Sequence, residues 1–277
     1  MVRSRTQKVT GYVVLIVFLI LILLPFYWMF ITSFKVNTSI SEYPPSLFPL
    51  HWTLEHYRTA FSSTYHFGTY IRNSVVVAVL TTFFVLMFAS MAGFSIARLP
   101  IKAKTPMMMG LLMISVFPPI AIIIPLYMML HEVGWLNSYQ ALIIPYTAFN
   151  LPFAIWILRN FFLQVPGALF EAAKIDGASV FQTFYRVFLP LTTPGLFTAA
   201  VFTFVASWTE FFMALVLNTK ATWQTIPVGI ALFSGEYSVP YGDLFAGSIV
   251  SIVPILILVV IFRKWIVSGL TAGAVKG

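Results

Sequence analysis

The sequence predicts an all-α polytopic membrane protein with six membrane-spanning helices. Three observations carry this. The 277 residues are 60% hydrophobic and only 9% charged, whereas about a quarter of the residues of a soluble domain are charged. The mean hydropathy is +0.93. Six apolar runs, separated by short polar or basic stretches, each approach the roughly 20 residues that one helical crossing needs.

Taken in order, the first run is residues 9–34, preceded by Arg3, Arg5 and Lys8 and interrupted by Pro25. A cleaved signal peptide would have an apolar region of about 7 to 15 residues and a small-residue cleavage site. The run fits an uncleaved first helix instead. Residues 35–71 form a polar, proline-punctuated loop, too short for a core of its own. The second span is expected at 73–97, closed by the basic residues Arg98, Lys102 and Lys104. The third, at 106–130, contains Pro118, Pro119 and Pro125. Prolines at that density break the hydrogen-bond ladder, which lipid tolerates only where protein or a water-lined cavity covers the backbone. Pro118 and Pro119 are therefore candidates for lining a pathway, a packing kink being the alternative.

The fourth span, 138–158, precedes a polar-flecked stretch at 166–190. The fifth, 194–217, holds Glu210, and the sixth covers 243–262 before a tail at 263–277. An ionised side chain inside a bilayer costs about 2.5 to 3.5 kcal/mol on insertion scales. Glu210, with Trp208 beside it, is thus a candidate for lining or gating a pathway, or for a structural hydrogen bond to a neighbouring helix. Twelve of the sixteen Lys and Arg residues fall on the side holding both termini and the 166–190 loop. The positive-inside bias makes that side cytoplasmic.

The stretch 166–190 reads as two short helices around a glycine turn. Ala168 to Lys174 are mostly good helix formers, Asp176-Gly177 suits a left-handed helix end, and Ser179 with Gln182 has capping-box spacing. The second helix is expected to end before Pro190. Neither reaches the roughly 12 to 15 residues at which isolated helices are even marginal in water, so both must pack on something. Phe181, Phe184 and Val187 recur at helical spacing and suggest a membrane-facing side.

Several chemistries are excluded or disfavoured. There are no cysteines, hence no thiolate metal site or disulfide. His51, His56, His66 and His131 show no metal-ligand spacing and read as surface residues. The basic residues sit at span ends, without the basic stripe that nucleic acid requires. No GxxxxGK[ST] loop is present, so this chain does not hold ATP in that way. Glu171 and Asp176 have no substrate cleft around them that would make them an acid/base pair. No catalytic residue and no cofactor are assigned.

The run Glu171-Ala172-Ala173, three residues, Gly177, nine residues, Val187, one residue, Leu189-Pro190 resembles the EAA loop of the membrane subunits of ATP-binding-cassette importers, with Val187 in place of Ile. The resemblance implies the type I importer permease fold, with cytoplasmic coupling helices. It also implies that Glu171, Ala172, Ala173, Asp176, Gly177, Val187, Leu189 and Pro190 form the docking element for a separate ATPase subunit, where ATP and Mg are bound. The ending Ser268 to Gly277 is similar to the tail of the smaller permease subunit of maltose-type carbohydrate importers. There Gly269, Thr271, Gly273, Lys276 and Gly277 would form a thin strand entering the ATPase dimer interface.

The partners so implied are a homologous second permease, two ATPases and an extracytoplasmic solute-binding protein. The location so implied is a bacterial or archaeal cytoplasmic membrane. Aromatics at 218–242 (Trp223, Phe233, Tyr237, Tyr241) are expected to meet a sugar or the binding protein, or to anchor at the interface. The competing readings are an ion- or proton-coupled carrier that uses Glu210, and an importer of a non-sugar solute.

Overall fold

A computed structural model of the chain describes residues 5–62, 66–233 and 239–272. Among these residues the regular structure is helical, apart from one isolated antiparallel bridge between Lys35 and Trp52. In order, the helices are α1 (Arg5–Thr32), α2 (Asn37–Ile40), α3 (Glu55–Ala60), α4 (Phe67–Arg98), α5 (Lys104–Val116), α6 (Pro119–Glu132) and α7 (Gln140–Gln164). There follow α8 (Gly167–Ile175), α9 (Val180–Thr183), a π-helical turn (Phe184–Phe188), α10 (Leu189–Leu191), α11 (Thr193–Thr209), α12 (Phe212–Leu217), α13 (Ile226–Ala231) and α14 (Tyr241–Ala272).

The chain divides into two compact units, Met1–Phe67 with Ile230–Val253, and Gly68–Gly229 with Pro254–Gly277. In the first unit a buried polar cluster joins segments distant in sequence. His56 Nδ1 pairs with Asp243 Oδ1 at 2.7 Å across 187 positions, while Nε2 donates to the Lys35 carbonyl at 2.8 Å. Gly242 lies flat on the imidazole, where any Cβ would collide with the ring. His56 is therefore buried, not a surface residue as its position in a polar loop suggested. Buried polar groups persist only when paired, and the pairing here is complete at both ring nitrogens.

In the second unit α7 is central. It packs against α5 and α11, and α12 packs against both α6 and α7. Gly93 brings α4 onto the backbone of α7, since a Cβ there would sit 3.0 Å from Arg159 N. Residues 218–226 are held by side-chain amides. Asn73 donates to the carbonyls of Thr222 and Gln224, both at 2.9 Å, and Asn218 donates to those of Ser138 and Trp223. Trp223 packs edge-on against Tyr139 at 5.1 Å. Phe233, in the first unit, is buried. Trp223 is half-buried, Tyr241 is exposed, and Tyr237 lies outside the described residues.

Four helices are long and apolar enough to cross a membrane, and two further pairs meet the same test only as bent pairs. The span expected at 106–130 is made of two helices, α5 and α6, bent by 85° at a break that falls on the prolines. Pro118 holds Phe117 in extended geometry (ψ 128°), and Pro119 then starts α6, where its missing N–H is harmless. The helix expected to stop before Pro190 instead continues to Leu191. The π-helical turn explains how. Leu189 N–H reaches back five residues to the Phe184 carbonyl, and the widened turn makes room for a proline ring that would collide with an α-helical carbonyl four residues earlier. The tail, expected as a thin strand, stays helical through Ala272, which places Gly269 and Thr271 within α14. Gly273, Lys276 and Gly277 lie outside the described residues.

Candidate functional site

The stretch 166–190 forms a capped double turn on an aromatic base. At the end of α8, Ala178 N–H bonds the Ala173 carbonyl at 2.9 Å and Gly177 N–H bonds that of Lys174 at 3.1 Å. This paired arrangement needs a left-handed residue, and Gly177 supplies it at φ +76°. The next turn begins with a complete capping box. Gln182 N–H donates to Ser179 Oγ at 3.2 Å, and Ser179 N–H donates to Gln182 Oε1 at 2.8 Å. The end of one helix and the start of the next are thus set by Gly177, Ser179 and Gln182, close together in sequence, which is why the local sequence predicts them.

Beneath lie Phe94, Phe162, Phe170, Phe184 and Phe188. Phe94 meets Phe184 and Phe188 at 5.2 Å each, and Phe170 meets Phe188 at 6.1 Å. Phe184 is buried in this core and Val187 is half-buried against it; of the three apolar residues suggested for a membrane side, only Phe181 is exposed. Arg98, at the end of α4, completes the base. Its guanidinium donates to the carbonyls of Phe162 (2.5 Å) and Val165 and sits 5.1 Å from the centre of the Phe188 ring. One side chain therefore caps the end of α7 and contacts the loop that follows. In the sequence Arg98 is one more basic residue at a span end, with nothing local to mark these contacts.

The outward side differs in character. Ala173, Asp176, Gly177 and Val187 line a shallow cleft of about 380 Å³ with Ala178, Gln182 and Arg186. Glu171 and Ala172 are exposed on α8. Leu189 faces inward and belongs to the base, while Pro190 is exposed. Around the cleft three large apolar residues stand in the open: Ile175 at 85% exposure, Phe181 at 65% and Tyr185 at 62%. They alternate in sequence with the exposed charged residues Lys174, Asp176 and Arg186, and exposed apolar groups rimmed by polar ones mark surfaces that a partner can cover.

The pathway candidates are not brought together with this cleft. Pro118 and Pro119 are exposed at the α5–α6 break. There Met113, Ile114, Phe117, Ile122, Ala148 and Phe149 line an apolar cleft of about 490 Å³. Trp208 is buried and stacks on Phe204 at 5.5 Å. Glu210 ends α11 with an extended ψ of 128°, and its carboxylate caps α12, accepting from Met213 N–H at 2.9 Å and Ala214 N–H at 3.2 Å. Tyr146 O–H also donates to it. The charge is held by three donors, as a carboxylate in an apolar setting requires.

Residues 87–271 match the family of binding-protein-dependent transport system inner membrane components. The chain belongs to this family. Its relatives within it align over nearly full length. It is 40% identical over 260 residues to the trehalose/maltose transport system permease protein of Thermococcus litoralis, covering 93% of each chain. It is 38% identical over 277 residues to the diacetylchitobiose uptake system permease protein of Streptomyces coelicolor, covering 100% of each. Among solved structures, a bacterial ABC transporter involved in the import of the acidic polysaccharide alginate superposes with a TM-score of 0.79 at 21% identity. That match covers 95% of this chain and 99% of the other. The fold is that of a type I ABC importer permease, and this family member is a multi-pass component of a membrane transport system.

Proposed function

We propose that the chain is one permease subunit of an ATP-driven importer that carries a sugar delivered by a solute-binding protein. The observation that carries the coupling role is the capped 167–191 segment, which presents Ile175, Phe181 and Tyr185 in the open around the Asp176–Gly177 cleft while its other side is fixed to the aromatic base. A separate ATPase subunit covers this patch. A homologous second permease completes the membrane unit, two ATPases serve the pair, and both termini and the docking loop face the cytoplasm. Relatives that carry trehalose, maltose and diacetylchitobiose support a saccharide as the substrate. Closure of the ATPases moves the docked turn, the spans reorient, and access alternates; this drives uptake only if the docked contacts differ in free energy between the two states. We assign Glu210 to capping α12 and not to ion coupling, since its carboxylate already serves three donors.

The natural absence of cysteine gives a clean test. Ala172→Cys is expected to crosslink to the ATPase subunit in inverted membrane vesicles and to be shielded from membrane-impermeant reagents added to intact cells. Labelling from outside, or no ATPase adduct, rejects the docking assignment.

A further inference from the structure

The first unit forms a half-open cavity of about 230 Å³ lined by Trp28, Thr32, Lys35, Ile40, Tyr241 and Phe245. Three of the six are aromatic and two are polar residues almost wholly buried, Lys35 at 1% exposure and Thr32 at 3%. Thr32 Oγ1 has no hydrogen-bond partner among the described residues. Lys35 Nζ lies 4.5 Å from the centre of the Trp28 ring and donates once, to the Ser46 carbonyl at 2.5 Å, although an ammonium has three N–H groups to place. Among the described residues the ion pair is His56 with Asp243, and no carboxylate stands within pairing distance of Lys35. Burial accordingly pulls the Lys35 ammonium below its ordinary range, with the Glu42 charge only partly opposing. A buried cation is costly unless an anion joins it.

We infer that this cavity is a subsite for one sugar ring bearing an acidic substituent. The apolar C–H face of the ring stacks on the aromatic wall, a hydroxyl meets Thr32 Oγ1, and the acidic group meets Lys35. The volume is below the roughly 300 Å³ at which pockets for larger ligands begin, so it suits a single ring and not a disaccharide. The inference deepens the sugar-import reading and rests on it. It adds that this subunit touches the cargo itself and prefers an anionic one.

The test uses the whole importer, purified with its partner subunits in lipid nanodiscs, with glucuronate and glucose as probes. Glucuronate is expected to quench tryptophan fluorescence saturably, with the quench lost in Trp28→Phe. Binding weakens at least tenfold in Lys35→Met and in Thr32→Val, and glucose binds at least tenfold more weakly than glucuronate. Should Lys35→Met not assemble, Thr32→Val decides. Equal affinity for the two probes, unchanged affinity in Thr32→Val, or no glucuronate binding at all overturns the subsite. Uptake of neutral sugars from the binding protein separates the two levels: if it persists while the subsite fails, the import reading stands, and if no sugar is taken up, that reading fails as well.

Discussion

Gly177 carries a backbone conformation and not a contact. A Cβ at this position would meet nothing within 4 Å, so the whole penalty of substitution comes from φ +76°, about 1–2 kcal/mol for an ordinary residue and less for Asn, which tolerates the left-handed region. Uptake is therefore expected to fall in the order Gly, Asn, Ala, Val at position 177 while ATP hydrolysis continues and membrane insertion is unchanged. Equal transport by the Asn and Val variants would contradict this. Arg98 is the opposite case, since its contacts matter and its backbone does not. Arg98→Met leaves two carbonyls at the end of α7 without their donor and is expected to destabilise the permease by about 2 kcal/mol, given roughly 1.5–3 kcal/mol for a hydrogen bond to a charged group. Arg98→Lys recovers only part, because a single ammonium does not reproduce the guanidinium fork. Thermal unfolding in detergent checks both. Composition identifies Arg98 as a flanking cation and no more; its clamp on Phe162, Val165 and Phe188 joins residues more than sixty positions away.

At the scale of elements, legibility follows the range of the forces. The α8–α9 turn is written in adjacent residues, and both the glycine end and the Ser179–Gln182 box are foreseeable from spacing. Ser179→Ala removes that box and is expected to cost about 1 kcal/mol, seen as a lower melting temperature and faster proteolysis within 176–190. The break at Glu210 is not foreseeable, because Ser207-Trp208-Thr209-Glu210-Phe211 contains neither Pro nor Gly. It exists because the carboxylate stops α11 and starts α12. Glu210→Gln keeps one side-chain oxygen acceptor and is expected to fold and transport, whereas Glu210→Ala abandons two N–H groups and the Tyr146 hydroxyl and is expected to lower stability by about 1–3 kcal/mol. Transport that collapses in the Gln variant with stability intact would return Glu210 to the pathway.

At the scale of the whole molecule, the all-α membrane class was legible from composition, and the family from six positions around Glu171. The division of the chain into two units was not, since it depends on pairings such as His56 with Asp243 that no local pattern announces. The charged residues of the 167–191 segment, Glu171, Lys174, Asp176 and Arg186, are all exposed, while its attachment to the rest of its unit is made by buried phenyl rings and half-buried Arg98. Mobile ions screen the first group over about 8–10 Å at ordinary strength and hardly reach the second. Washing membranes with concentrated sodium chloride is thus expected to weaken the proposed ATPase docking without abolishing it, since Ile175, Phe181 and Tyr185 carry no charge to screen, and to leave the permease's own melting point where it was.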